Sequence, residues 1–121
     1  DYGDTVDKMD FAYLAKVTAL NVATLRRLAA APAAPDGVTL GGAVTSDTTV
    51  RWQPVPGAAN YRVHYRRNDA QDWQRHIDVP ASRTAAVLED VIVDDIFVGV
   101  SALSADGAES IVTFGGRAPA R

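Results

Sequence analysis

The sequence predicts a mainly β fold, a seven-stranded sandwich preceded by one long amphipathic α-helix. Three observations carry that expectation. Over residues 9–31 the apolar side chains recur every three or four positions, and from Pro35 onward they fall into short alternating runs bounded by turn residues. An Ala/Pro stretch over 29–35 separates the two patterns. Division into a first segment, 1–34, and a β domain, 35–121, follows.

In the first segment Phe11, Leu14, Thr18, Val22, Leu25, Leu28 and Ala29 share one helical face. Asp10 is placed to cap the helix N-terminus, with Met9 before it and Leu14 within reach for a hydrophobic staple. Arg26 and Arg27 lie near the other end, where cations suit the helix dipole, and Pro32 and Pro35 stop the helix. Asp1, Asp4, Asp7 and Asp10 read as acids meeting the positive helix end better than as oxygen ligands for calcium, because the glycine and glutamate of a calcium loop are missing at the required spacing. The apolar stripe needs a covering surface: the sandwich, a second copy, or another domain.

The β domain contains strand-like runs at 38–40, 48–53, 60–67, 72–79, 84–88, 96–103 and 109–114. Turn residues punctuate them at Gly41-Gly42, Ser46-Asp47, Asn68-Asp69, Asp94-Asp95 and Asp106-Gly107. Tyr61, Val63 and Tyr65 alternate with Arg62, His64 and Arg66, so the third strand has one dry face and one wet face. Alternation places Trp52, Tyr61, Tyr65 and Trp73 in or near the core.

Composition narrows the functional classes. Of the 121 residues, 1–34 hold four acids and four bases and 35–121 hold eleven acids and eight bases, a balance that argues against nucleic-acid binding. No apolar run is long enough to span a bilayer. Absence of cysteine removes disulfides and thiol chemistry.

Asp4-Thr5-Val6-Asp7-Lys8-Met9-Asp10, with Leu14, Val17, Asn21, Ala23 and Leu28-Ala29 after it, resembles the end of the catalytic domain of co-catalytic di-zinc exopeptidases, the aminopeptidase and glutamate carboxypeptidase family numbered M twenty-eight. In that family a similar run opens the last helix, and a zinc-ligating histidine precedes it. By the family's spacing this histidine falls just before Asp1, while Gly3 departs from the usual Asp or Arg. The resemblance implies a parent enzyme in which zinc-activated water attacks an N-terminal peptide bond with a glutamate as base, the zinc being held outside this chain. It also implies a bacterial secreted or periplasmic protein.

Trp52, Pro54, Pro56-Gly57, Tyr61-Arg62-Val63-His64-Tyr65, Trp73, Val98-Gly99-Val100-Ser101-Ala102 and Asp106-Gly107 resemble, in order and spacing, a fibronectin type III domain, an immunoglobulin-like sandwich. One departure is Ile96, which stands where that family has a corner tyrosine, so a looser turn is expected before the sixth strand.

No catalytic, cofactor-binding or metal-binding residue is assigned within the chain. Arg62, His64 and Arg66 form a basic stripe suited to an acidic polysaccharide, a carboxylate-rich protein or the parent catalytic domain, with Arg67 or Arg75 nearby, although Asp69, Asp72 and Asp78 suit an ordinary solvated face. His64, His76 and Asp78 offer a zinc arrangement, but outward histidines on a sheet are more commonly plain polar positions. Glu89-Asp90 and Asp94-Asp95 read as polar turns. The resulting expectation is a non-catalytic C-terminal accessory domain of a zinc exopeptidase, inactive alone, with self-association through the helix face. The alternative is a free-standing adhesion or carbohydrate- or protein-binding module.

Overall fold

The computed structural model describes residues 5–42 and 44–117; Asp1 and Asp4 lie outside the described residues. A 3-10 turn at Val6–Lys8 leads into α1 (Phe11–Ala30). Asp10 caps α1, its Oδ1 accepting from the Tyr13 N–H at 2.9 Å, so one of the orphan amides of the first turn is satisfied. At the far end the Ala31 N–H donates to the Leu28 carbonyl at 3.3 Å, and Pro32 follows. The predicted stripe does form, but it is left uncovered. Phe11, Leu14, Val22, Leu25 and Leu28 are all exposed, and Val17 alone within α1 is half-buried.

The sandwich contains β1 (Thr39–Gly41), β2 (Thr48–Arg51), β3 (Asn60–Arg67), β4 (Arg75–Pro80), β5 (Ala85–Leu88), β6 (Ile96–Leu103), β7 (Thr113–Phe114) and β8 (Gly116–Arg117). Two sheets result, ordered β5-β2-β1-β8 and β4-β3-β6-β7. Every pairing is antiparallel except β1 with β8. Both eight-residue strands, β3 and β6, match the ranges expected from the alternating pattern.

The end of the chain differs from expectation: of the run 109–114 only Thr113–Phe114 forms a strand, and a further strand, β8, follows it. Gly115 carries the chain from the second sheet to the first: its N–H donates to the Val98 carbonyl at 2.8 Å, and the next amide, Gly116, donates to the Val38 carbonyl at 3.0 Å. A Cβ at Gly115 would lie 2.8 Å from the Leu40 side chain. Close approach of the crossing backbone to β1 explains the glycine.

Between the sheets Val38, Val50, Trp52, Tyr61, Val63, Val79, Leu88, Val98, Val100 and Ala102 form the core. Trp52 and Tyr61 meet edge to face at a centroid distance of 5.3 Å, a preferred geometry for aromatic pairs. Tyr61 also uses its hydroxyl, which accepts from the Val55 N–H at 2.7 Å and holds the loop between β2 and β3.

The turn before β6 is tied by other means than a corner tyrosine. Thr48, fully buried at the start of β2, donates from Oγ1 to the Val91 carbonyl at 2.6 Å. The Asp90 N–H, at a residue with φ of 53°, donates to Asp47 Oδ1 at 2.9 Å. Two links to this turn, one from the first residue of β2 and one from the residue before it, thus replace the hydroxyl tether that Ile96 cannot supply, and the expected looseness is offset.

Tyr61→Phe keeps the ring and removes the acceptor for Val55. It is expected to lower stability by about 1–2 kcal/mol, read as a lower urea midpoint with an unchanged denaturant slope.

Candidate functional site

The β3 stripe lies on the outer face of the second sheet because Tyr61, Val63 and Tyr65 turn inward. Antiparallel register then decides what each outward side chain meets. Arg62 faces Asp78 on β4 and Ser101 on β6; His64 faces His76 and Gly99; Arg66 faces Phe97.

Arg62 is held by two carboxylates. Its Nε and Nη2 donate to Asp78 at 2.7 and 2.9 Å, and its Nη1 donates to Glu109 Oε2 at 3.3 Å. Hydrogen bonding with Asp78 raises the guanidinium above its ordinary range and lowers the Asp78 carboxyl below its own. His64 Nε2 lies 2.9 Å from Glu109 Oε1 and 3.0 Å from Ser101 Oγ, while Ser101 donates to the same Glu109 oxygen at 2.6 Å. Burial lowers the His64 pKa and outweighs the opposing pull of Glu109. Burial raises Glu109, but hydrogen bonds from Ser101 and His64 outweigh it, and the carboxyl ends below its usual range. A neutral imidazole donating from Nε2 to an ionised Glu109 satisfies both tendencies.

Serine, histidine and glutamate therefore meet, but not as a hydrolytic triad. Both partners contact the same ring nitrogen, whereas a relay needs the nucleophile on one nitrogen and the acid on the other. Ser101 is also fully buried. Nor do the histidines make a zinc centre: the His64 and His76 rings lie 6.2 Å apart, and among the described residues no group of three His, Cys, Asp or Glu is arranged to hold a metal ion.

Trp73 is a correction to the sequence reading. It precedes β4 and lies over the outer face instead of between the sheets, with its ring 5.5 Å from His64 and 5.2 Å from Phe114. Gly99 makes this possible: a Cβ there would lie 2.4 Å from Val112 Cγ1 and 3.2 Å from the Trp73 ring. The Arg66 guanidinium sits 4.6 Å from the Phe97 centroid and 5.7 Å from that of Trp73, in cation–π range of both, and also donates to the Ala70 carbonyl. Arg62, His64 and Arg66 thus share one face, each already engaged by a neighbour. Ser101 could be placed opposite Arg62 by alternation, but the approach of Glu109 depends on the turn at Asp106-Gly107, and no local pattern reveals it.

No family model matches the chain. It is 30% identical over 112 residues to a probable zinc metalloprotease of Pyrenophora tritici-repentis and 31% identical over 112 residues to one of Leptosphaeria maculans. In each case 90% of this chain is matched, against 23% and 26% of the relative, so the chain spans about a quarter of their length. A match covering 90% of 121 residues cannot omit a 20-residue helix, so it enters both α1 and the sandwich. Among solved structures, a fibronectin type III domain of human collagen XX aligns with a TM-score of 0.56 at 19% identity, covering 70% of this chain and 90% of that one. An Fn3-like protein from Clostridium thermocellum aligns with a TM-score of 0.57 at 22% identity, covering 76% and 99%. The sandwich has the fibronectin type III fold, and the likeness to zinc metalloproteases agrees with the resemblance in the sequence. The bacterial secreted or periplasmic expectation is overturned, because these metalloprotease relatives are fungal.

Protonation of this network gives a directional prediction. Because the folded His64 pKa lies below its ordinary 6.5, its contribution to stability is complete above that pH and is lost as the pH falls toward the folded value. Glu109, lowered from 4.5, adds a second loss as the pH falls through its folded value. Urea midpoints measured across acid to neutral pH should fall in both windows, and His64→Phe should flatten the upper one and weaken the lower, because it also removes one of the hydrogen bonds that lower Glu109.

Proposed function

We propose that this chain is a non-catalytic accessory part of a longer zinc-dependent exopeptidase, an aminopeptidase that removes N-terminal residues from peptides. Residues 1–34 would complete the catalytic domain and 35–121 would follow as a fibronectin type III-like domain. Zinc would be held by the parent catalytic domain. One observation carries this reading: an apolar helix face stands uncovered in a chain whose likeness to zinc metalloproteases includes that helix and accounts for only about a quarter of their length. Leu14, Leu25 and Leu28 are 43, 64 and 55% exposed. Covering a side chain of this kind gives about 1.5–3 kcal/mol that the helix cannot gain alone, so a catalytic domain seated on the stripe accounts for its pattern.

A second reading, an adhesion or carbohydrate- or protein-binding module, draws on the outer-face aromatics. Phe97 and Phe114 are 44 and 56% exposed beside Trp73 and Arg66. Their rings meet at 87°, which offers a notch instead of the flat platform a sugar ring stacks upon. The accessory reading is therefore preferred.

Peptidase assays on aminoacyl-nitroanilides with zinc are the direct test. The full parent should be active and lose activity to a chelator, and this chain alone should be inactive. Chelator-insensitive or absent activity in the parent would overturn the reading.

Separated from its covering surface, the helix face should draw two copies together. Light scattering should show concentration-dependent association of the isolated chain, abolished by the double substitution Leu14→Glu and Leu25→Glu. A chain that stays monomeric at all concentrations would count against an unsatisfied helix face.

A further inference from the structure

A cavity of about 290 Å³ opens at the edge of the sandwich, between the β3–β4 end of the second sheet and the turn that leads from β5 to β6. Its size suits a small ligand and lies at the lower end for binding pockets. Tyr65, Val91, Ile92 and Ile96 give it an apolar lining. Arg75 on β4 lines it from one sheet, and Asp90 and Asp95 line it from the turn. Arg66, Arg67 and Gln74 line it as well, but Arg66 is engaged by the Ala70 carbonyl and the Phe97 and Trp73 rings and Arg67 by Asp69 at 2.9 Å, whereas Arg75, Asp90 and Asp95 form no ion pair with one another among the described residues. Of the three lining arginines Arg75 alone lacks such a partner among the described residues, and this cation, with two aspartates beside an apolar lining, matches a ligand that carries its own charges in the opposite order.

We propose that this cavity binds a zwitterionic α-amino acid with an apolar side chain of about leucine size, its carboxylate toward Arg75 and its ammonium toward Asp90 and Asp95. The guanidinium provides the planar donor pair that a carboxylate accepts. The apolar lining takes up the side chain, whose burial contributes affinity without direction, and the two charged ends select a free amino acid over an internal residue of a peptide. The inference stands independently of the peptidase reading, although hydrolysis at a peptide end is the class of reaction that supplies such a ligand.

The test is an amide-resolved NMR titration of the whole 121-residue chain with L-leucine and, in parallel, with N-acetyl-L-leucine amide, which keeps the side chain and removes both charges. Leucine should shift the Ile92 and Ile96 amides and saturate at millimolar concentration, and the blocked compound should not. Arg75→Gln and Asp90→Asn, placed on opposite walls, should each weaken binding about tenfold. Both positions are exposed, and Asn tolerates the left-handed backbone at Asp90, so dispersed spectra will show that the variants remain folded. Equal shifts from the blocked compound, no saturable shift from leucine, or unchanged affinity in both variants would each overturn the proposal. Because neither zinc nor the parent enzyme is present, the result is separate from that of the peptidase assay.

Discussion

The eight-residue antiparallel pairing of β3 with β6 is the constraint on which the other features depend. Its register fixes Tyr61, Val63, Val98, Val100 and Ala102 between the sheets and, by the same alternation, Arg62, His64, Phe97 and Ser101 outside. A slip of one residue would exchange the two sets, exposing the valines and burying an arginine and a histidine. The cost of burying those charges without partners makes the register unambiguous. Core and outer network are two consequences of one pairing.

That outer network shows why a stripe of basic residues does not by itself make a binding surface. Arg62, His64 and Arg66 read as one cationic row when only their own strand is considered. Each meets a different neighbour once the flanking strands are placed: carboxylates, a serine–glutamate pair, and aromatic rings. Exposed ion pairs of this type contribute only about 0.2–1 kcal/mol each. Their effect is to tie β3, β4, β6 and the chain approaching β7 to one another and so define the sheet's outer surface.

Elements with a strong local period were legible in the sequence. The helix, its Asp10 cap and the ranges of β3 and β6 follow from spacing alone. Trp73 was not legible, because its position depends on the space above Gly99 and on Val112, far along the chain. The extra strand β8 beyond Gly115 was also hidden, since the crossing to it depends on close approach to Leu40 on another strand. The links at Thr48 and Asp47 span 43 residues and leave no sequence pattern. What escaped the sequence reading was tertiary in each case.

The turn before β6 joins several of these features. Ile96, where the resemblance calls for tyrosine, is among the residues lining the edge cavity, and the turn beside it is held instead by the hydrogen bonds from Thr48 and to Asp47. A tyrosine here would bring a larger ring and a hydroxyl into a region already tied at Val91 and Asp90. With the smaller side chain, stabilisation of the turn is transferred to β2, and the space beside Ile96 need not be filled to hold the fold together. A buried core with an unfilled edge follows, because the two jobs a single tyrosine would perform, tethering and filling, have been separated.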